Sequence, residues 1–396
     1  MAERTIFGWD VGGAHLKGCR MEHGRVVDVA QWACPLWQGT DRLQAALQDA
    51  RARWPGLERA THAVTMTGEL VDLFASREEG VRRIAAEVSR GLGAVADADA
   101  DPSFVATSST PCGDSATPAS FNGSVHFYAG DSGWCRIDEV GACWEAIASA
   151  NWLATARHAA LRCGDGVLVD IGSTTTDLIA FRDGRVTTRS RTDAQRLGRG
   201  ELVYHGVVRT PLCALGPRVD WRGTPHNVMN EFFATTADVY RLTGELDAAH
   251  DLYPSADNAP KHAEATRQRL ARMIGLDQRE ADAAEWLAFA RAWRAAQVAE
   301  IGGQLRRVLN EGRFARDAVI VGAGCGDFLV ADALACALDD GSPPAPDRTA
   351  WRIASYGSEV ARLAGDGPVA VESLLAWTQV AAPAVATASL FDGDRR

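Results

Sequence analysis

No cysteine in the chain has a second cysteine at zinc-ligand spacing. With no CxxC and no CxxxC among its nine cysteines, a thiolate metal centre is not expected. Lysine is scarce, and the arginines that stand in for it are scattered among acids without forming a basic patch. At a formal net charge of −10, that distribution argues against nucleic acid as a partner, because phosphate backbones are held by clustered cations. No long apolar stretch interrupts the chain, and Met1-Ala2-Glu3-Arg4 leads straight into a strand without a charged-then-apolar leader. Neither a membrane partner nor secretion is therefore expected. Reduced cysteines in a cytoplasmic protein are the expectation that follows.

What is present is enough for two domains with real cores: 396 residues, 46% hydrophobic and 23% charged, ordinary values for a soluble enzyme. One stretch occurs twice. Phe7-Gly8-Trp9-Asp10-Val11-Gly12-Gly13-Ala14-His15-Leu16-Lys17 is echoed by Val167-Leu168-Val169-Asp170-Ile171-Gly172-Ser173-Thr174-Thr175-Thr176-Asp177. Each copy runs apolar, ends on aspartate, turns through glycine and resumes. Downstream, Glu22-His23-Gly24-Arg25-Val26 lies opposite Arg182-Asp183-Gly184-Arg185-Val186, and both read as tight hairpin turns. A supersecondary unit repeated at this distance predicts duplicated halves facing a shared cleft.

Between the copies, helices are expected at 42–53 and 81–92, a buried strand at 63–67 and another at 125–131, the alternation of a mixed α/β domain. The stretch 95–124 loses periodicity. Its alternating Asp97, Asp99 and Asp101 lack the glycine and glutamate of a calcium loop, so a solvated connection is expected there. One helix over 137–162 closes the first half. In the second half, residues 227–308 read as largely helical. A strand at 317–321 then leads to Gly322-Ala323-Gly324-Cys325-Gly326-Asp327 and a helix at 328–338. An alanine-rich helix at 374–388, broken by Pro383, ends the chain. The expected domains are 1–163 and 164–396, with a helical insertion at about 215–310.

An Asp-x-Gly turn between strands suits phosphate chemistry. Glycines let N–H groups point into a concavity and small hydroxyl residues add donors. Gly12, Gly13, Gly172, Ser173, Thr174 and Thr175 are the phosphate-binding candidates, joined by Gly322, Gly324 and Gly326 in a third turn. Asp10 and Asp170 can hold Mg²⁺, which in turn bridges phosphate oxygens. Lys17 supplies a cation where the second copy has Asp177, so the halves are not chemically equivalent. Simpler roles are open for other residues. Cys213 and Cys325 read as buried small hydrophobes, and His15 either touches phosphate or caps its hairpin. Arg269 and Arg272 are expected on a solvated helix face. Asn230, Glu231 and Asp238 suit a lid or ordinary packing.

In this order and spacing, the three turns resemble the phosphate-1, phosphate-2 and adenosine motifs of the actin, sugar kinase and Hsp70 superfamily. That resemblance spans nearly the whole chain and implies two ribonuclease-H-like domains around a central cleft. Asp170-Ile171-Gly172-Ser173-Thr174-Thr175-Thr176-Asp177 most resembles the hydantoinase/oxoprolinase branch, with Ser173 in place of a glycine. A narrower likeness rests on Asp10-Val11-Gly12-Gly13-Ala14, Thr67-Gly68-Glu69-Leu70, Ser149-Ala150-Asn151-Trp152, Arg209-Thr210-Pro211-Leu212-Cys213-Ala214-Leu215 and Val321-Gly322-Ala323-Gly324-Cys325-Gly326. Together these are similar to the tetrahydromethanopterin-linked C1 transfer pathway family of methylotrophic bacteria, relatives of the archaeal synthases of the methanofuran core. That family usually has asparagine where this chain has His15.

The resemblance implies a transferase of methylofuran biosynthesis. It would join an aminomethylfuran-methyl diphosphate to the phenol of a tyramine- or tyrosine-type amine, releasing pyrophosphate. A phenol with a pKa of about 10 needs a base or local positive charge to attack at neutral pH. Asp10 and Asp170 are then the expected Mg²⁺ carboxylates and Lys17 a diphosphate ligand, with Asp177, Glu69 or Asp131 as the base. The competing readings are an ATP-dependent kinase or oxoprolinase-type hydrolase, and a nucleotide-binding regulator without catalysis. The partners expected are the two small-molecule substrates, with a homodimer as the assembly left open.

Overall fold

The apolar runs before Asp10 and Asp170 become inner strands of two mixed sheets in the computed structural model, which describes residues 5–93, 124–339, 351–365 and 367–395. The aperiodic stretch 95–124 lies outside the described residues except for its last one. Two compact units emerge: Met1–Ala154 with Ala364–Val369 and Pro383–Arg396, and Thr155–Leu363 with Ala370–Ala382.

The first unit contains β1 (Thr5–Val11), β2 (His15–Glu22), β3 (Arg25–Ala33), α1 (Asp41–Arg53), β4 (Thr61–Met66), α2 (Arg77–Gly91), β5 (Val125–Tyr128), β6 (Trp134–Cys135) and α3 (Val140–Ile147). Its sheet runs β3-β2-β1-β4-β5-β6. The first three strands are antiparallel, and β4 and β5 run parallel to β1 and β4 respectively. Strand β1 is buried on both faces, as its apolar residues on either side of the pleat require. Helix α1 contributes Leu43, Ala46, Leu47 and Ala50 to this core at helical spacing. Helix α2 contributes Val81, Ile84, Ala85 and Val88. The single helix expected over 137–162 is instead α3 followed by α4 (Asn151–Cys163). Ser149 between them adopts φ 52°, which no helix continues through.

The second unit follows the same plan with β7 (Gly166–Ile171), β8 (Thr176–Arg182), β9 (Arg185–Val186), α5 (Asp193–Arg199) and β10 (Leu202–Val203). A hairpin of β11 (Arg218–Trp221) and β12 (Thr224–Asn227) then leads to α6 (Thr236–Thr243), α7 (Ala263–Arg272) and α8 (Ala283–Glu311). The unit returns to its sheet through β13 (Val319–Ala323), α9 (Val330–Leu338), β14 (Arg352–Ser355) and α10 (Val371–Val380). The sheet runs β10-β8-β7-β13-β14 with β9 also on β8. Again an antiparallel hairpin is followed by parallel strands. Both first hairpins close through matching turns, His23 (φ 51°) with Gly24 (φ 73°) and Asp183 (φ 52°) with Gly184 (φ 72°). Positive φ at both central residues is the type I′ geometry that matches strand twist. The chain thus adopts the expected α/β fold of duplicated ribonuclease-H-like domains.

The helical insertion is placed by its caps. Thr235 with Asp238 and Asp282 with Glu285 form capping boxes at the starts of α6 and α8. Arg269 does not lie on a solvated face. It is fully buried, bonded to Asp238 at 2.7 Å, Asp257 at 3.2 Å and the Pro260 carbonyl at 3.2 Å. Asp238 is equally buried, so packing and capping account for it. Arg272 is exposed as expected and pairs with Asp257 at 3.1 Å.

The last element described is α11 (Ala382–Asp394). Among the described residues, no single helix is long and apolar enough to cross a membrane. The units divide at Ala154/Thr155 where 163/164 was expected, and Ala364–Val369 and Pro383–Arg396 group with the first unit. Gly8 of β1 is the local reason for the last of these. A β-carbon there would stand 2.0 Å from the Ala384 carbonyl oxygen, so only glycine lets α11 lie against the strand.

Candidate functional site

Pairing register sets the chemistry of each glycine turn. In the first unit Asp10 lies opposite Lys17. Directly opposed residues on antiparallel strands share a face, and Lys17 Nζ stands 3.8 Å from the buried Asp10 carboxylate. The turn closes where Gly12 N–H donates to the His15 carbonyl at 2.9 Å. Cys34 and Leu36 N–H groups hold the Ala14 and Gly13 carbonyls at 2.8 and 3.0 Å. Of the two roles open to His15, its backbone supplies the hairpin closure.

Glu69 follows β4 in a short turn, with 1% of its surface exposed, and accepts a hydrogen bond from Ser149 Oγ at 2.6 Å. Gly80 of α2 packs on the same turn so closely that a β-carbon would lie 2.6 Å from the Glu69 carbonyl. Ser149 is held in its left-handed conformation while making this bond. Backbone strain of that kind persists only where the surroundings fix it. Asp131, by contrast, is exposed in the turn after β5.

The second unit repeats the turn with different charges. Gly172 N–H donates to the Thr175 carbonyl at 2.8 Å, matching Gly12 and His15. Here register sets two carboxylates opposite each other, Asp170 and Asp177, an unfavourable like-charge pair. Buried Arg196 on α5 relieves it by a close ion pair with Asp177 and a second to Asp193 at 3.2 Å. Arg196 went unrecognised in the sequence, where nothing but its helix position connects it to Asp177.

A second chain segment backs the turn. Val207 N–H binds the Gly172 carbonyl at 3.0 Å, and Val208 and Arg209 N–H groups bind the Ser173 carbonyl at 3.1 and 2.9 Å. Gly206 approaches so nearly that a β-carbon would stand 2.3 Å from Thr174 N. Its own carbonyl accepts from Thr236 Oγ1 of α6 at 2.9 Å and Gln297 Nε2 of α8 at 3.0 Å. The insertion thereby positions the turn. Arg209 Nη1 lies 3.4 Å from Thr174 Oγ1, which puts a cation at the turn. Partial burial lowers its pKa from the ordinary arginine value, and the group stays charged at any physiological pH. The arginine belongs to the quoted Arg209-Thr210-Pro211 stretch but carried no assigned role in the sequence.

The third turn joins the second. Gly326 N–H donates to the Ile171 carbonyl at 2.8 Å, and Gly324 takes φ 85°. A β-carbon on Gly324 would lie 2.2 Å from the Ile171 carbonyl oxygen and 2.6 Å from Asp170 Oδ1. The structure therefore brings Gly324 and Asp170 together. Gln379 of α10 locks the turn, donating to the Gly322 carbonyl at 2.7 Å and accepting from Gly357 N–H at 2.8 Å. It too was missed, because its contacts are remote in sequence. Cys213 and Cys325 are half-buried against the core, less enclosed than expected.

No three His, Cys, Asp or Glu residues among those described cluster as an all-protein metal cage. A hard cation held by one or two carboxylates, with phosphate and water completing its shell, needs no such cage. Asp170, beside the glycine turn, has the donor chemistry for that arrangement. Asp10 has it too but shares its carboxylate with Lys17.

The model of the hydantoinase/oxoprolinase family matches residues 61–339. The chain is 28% identical over 274 residues to (4-{4-[2-(gamma-L-glutamylamino)ethyl]phenoxymethyl}furan-2-yl)methanamine synthase of Methanocaldococcus jannaschii, covering 69% of this chain and 72% of that one. It is 33% identical over 119 residues to the synthase of the same name from Methanococcus vannielii, covering 30% of this chain and 53% of that one. Among solved structures, a ROK family glucokinase from Streptomyces griseus is similar at 15% identity and a TM-score of 0.45 over 98% of each chain.

Proposed function

Because the chain belongs to the hydantoinase/oxoprolinase family, we propose that it is a biosynthetic synthase that makes a phenoxymethyl-furan ether. A biosynthetic enzyme of synthase type is what the two named relatives support. The substrates of the proposed reaction are an aminomethylfuran-methyl diphosphate and a tyramine- or tyrosine-type phenol. The phenol oxygen forms the new C–O bond to the furan methylene. The methylene–diphosphate C–O bond breaks, pyrophosphate leaves with the electron pair, and the phenol proton passes to a base.

The observation that carries this reading is the Gly172–Thr175 turn of the second unit, backed by residues 206–209 and faced by the Arg209 guanidinium. Hydroxyl groups, turn amides and a planar cation are what diphosphate oxygens bind. Asp170 would hold Mg²⁺, with Asp10 as the second carboxylate proposed for it. The ion, when bound, would neutralise the leaving group. Lys17 stays a proposed cation for the diphosphate. Among the three carboxylates proposed as base, Glu69 is favoured, since Ser149 fixes its orientation. Asp177 already serves Arg196, and Asp131 is exposed, where solvent competes for any proton.

Thermal denaturation with Mg²⁺-pyrophosphate, ADP and ATP tests the reading, because a ligand that binds only the native state raises the midpoint. Pyrophosphate is expected to stabilise more than ATP. Arg209→Gln should weaken the pyrophosphate response by about tenfold, as loss of a charged hydrogen bond does. Asp170→Asn should remove the dependence on Mg²⁺ and leave the protein folded. Stabilisation by ATP with phosphate release would instead indicate an ATP-dependent enzyme.

A further inference from the structure

Tyr204 is 58% exposed on a backbone pinned at both sides. Before it, Leu202 and Val203 of β10 pair with Asp177 and Thr176. After it, the His205 carbonyl accepts from Thr176 Oγ1 at 2.7 Å, and Gly206 N–H donates to Thr210 Oγ1 at 2.8 Å. The ring thus stands on the segment that backs the Gly172–Thr175 turn. A second tyrosine approaches from the insertion. Helix α6 starts on the Arg209 segment, where Thr236 and Ala237 N–H groups donate to the Thr210 and Val208 carbonyls at 2.9 and 3.3 Å. One turn along, Arg241 pairs with Asp251 at 2.6 Å, and Lys261 holds the other Asp251 oxygen at 3.0 Å. Arg241 also binds Asp238 at 2.7 Å, itself fully buried against Arg269. Burying such a network costs desolvation, and it fixes the loop that carries Tyr253. The Tyr253 and Tyr204 phenols both act on the Arg209 guanidinium, the cation that faces Thr174.

Two tyrosines beside one guanidinium, at a turn suited to phosphate oxygens, make a place for a flat ring joined to phosphate. We propose that Tyr204 and Tyr253 form a ring subsite at this turn and bind the furan of the furanylmethyl diphosphate. A single methylene joins that ring to the diphosphate, so a diphosphate held by Arg209 keeps the furan beside the same guanidinium. Aromatic side chains favour such a ring through stacked or edge contacts. As pyrophosphate leaves, positive charge develops on the furanyl methylene, and tyrosine π-faces attract it. The subsite rests on the diphosphate reading of the turn, to which it adds the ring as the part of the substrate that this chain selects.

Thermal denaturation of the full chain with Mg²⁺ and either furan-2-ylmethyl diphosphate or methyl diphosphate, which carries the same charge without the ring, tests it. In the unaltered protein the furanyl ester is expected to bind about tenfold more tightly than the methyl ester. Tyr204→Ala and Tyr253→Ala should each cut that preference about threefold and leave the methyl diphosphate response unchanged. Tyr204→Phe keeps the ring and should keep the preference. Tyr204 is exposed, so its substitution leaves the core intact. Equal affinities in the unaltered protein, or alanine variants that retain the full preference, would overturn the subsite and leave the diphosphate reading standing. An equal loss for both esters would also overturn it, since tyrosines that only hold Arg209 in place act on both alike. No response to either ester would overturn the diphosphate reading and the subsite with it.

Discussion

His62 and His158 are buried as neutral rings, one in each unit, and their pKa values fall from the ordinary histidine value to about 3, chiefly through burial. His62 Nδ1 accepts from Trp9 Nε1 at 3.1 Å, a bond that requires an unprotonated nitrogen. His158 Nδ1 lies 2.8 Å from the Tyr356 hydroxyl. Both folded values lie below the unfolded value of about 6.5, so the unfolded chain takes up protons first as pH falls. The neutral rings therefore favour folding fully above pH 6.5, and that contribution is lost on acidification towards the folded values. The slope is up to about 1.4 kcal/mol per pH unit for each histidine. Urea denaturation at about pH 7 and about pH 5 should show a loss near 2 kcal/mol per histidine, and His62→Gln should remove the first unit's share. An unchanged slope in that variant would refute the assignment. At this scale the sequence was legible where pattern suffices: Asp10, Lys17, Asp170 and Asp177 occupy the turn positions read from the repeat. Arg269 was misjudged because helical spacing shows which residues share a face but not what covers it. Asp238 and Asp257, distant in sequence, cover it.

Elements here are placed as much by missing side chains as by apolar ones. Helix α8 carries adjacent glycines whose surroundings differ. A β-carbon on Gly302 would lie 2.8 Å from the β-carbon and sulfur of Cys336 on α9, whereas one on Gly303 would meet nothing within 4 Å. Gly303→Ala should therefore stabilise by roughly 0.5–1 kcal/mol through helix propensity alone. Gly302→Ala should destabilise by about 1–3 kcal/mol by forcing the helices apart. Chemical denaturation of the two variants separates them, and effects of the same sign would contradict the packing described. Helix existence was readable from spacing and strong formers. The break at Ser149 was not, because a serine in left-handed conformation has no sequence signature. Nor was the backing of the second turn by residues 206–209. Its hydrogen bonds join segments that look unrelated until the chain folds, and Thr236 and Gln297 reach it from the insertion.

The whole chain is one plan used twice. Each unit opens with an antiparallel hairpin, sets aspartate before a glycine turn and adds parallel strands. The repeated motif made that architecture legible, because periodicity and turn chemistry are local. Allocation of α11 to the first unit was not legible, since an alanine-rich helix gives no hint of what it packs against. Register turns the same plan into different chemistry: lysine opposite aspartate in one copy, and in the other two carboxylates relieved by arginine. The proposed synthase reading assigns diphosphate recognition to this asymmetry. The most direct measurement is to incubate the purified protein with Mg²⁺, an aminomethylfuran-methyl diphosphate and tyramine, following products by mass spectrometry and pyrophosphate by a coupled assay. Ether and pyrophosphate should appear in equal amounts without ATP, and Glu69→Gln should slow both together. ATP hydrolysis in place of ether formation, or no ether with either tyramine or tyrosine as acceptor, would contradict the proposed function.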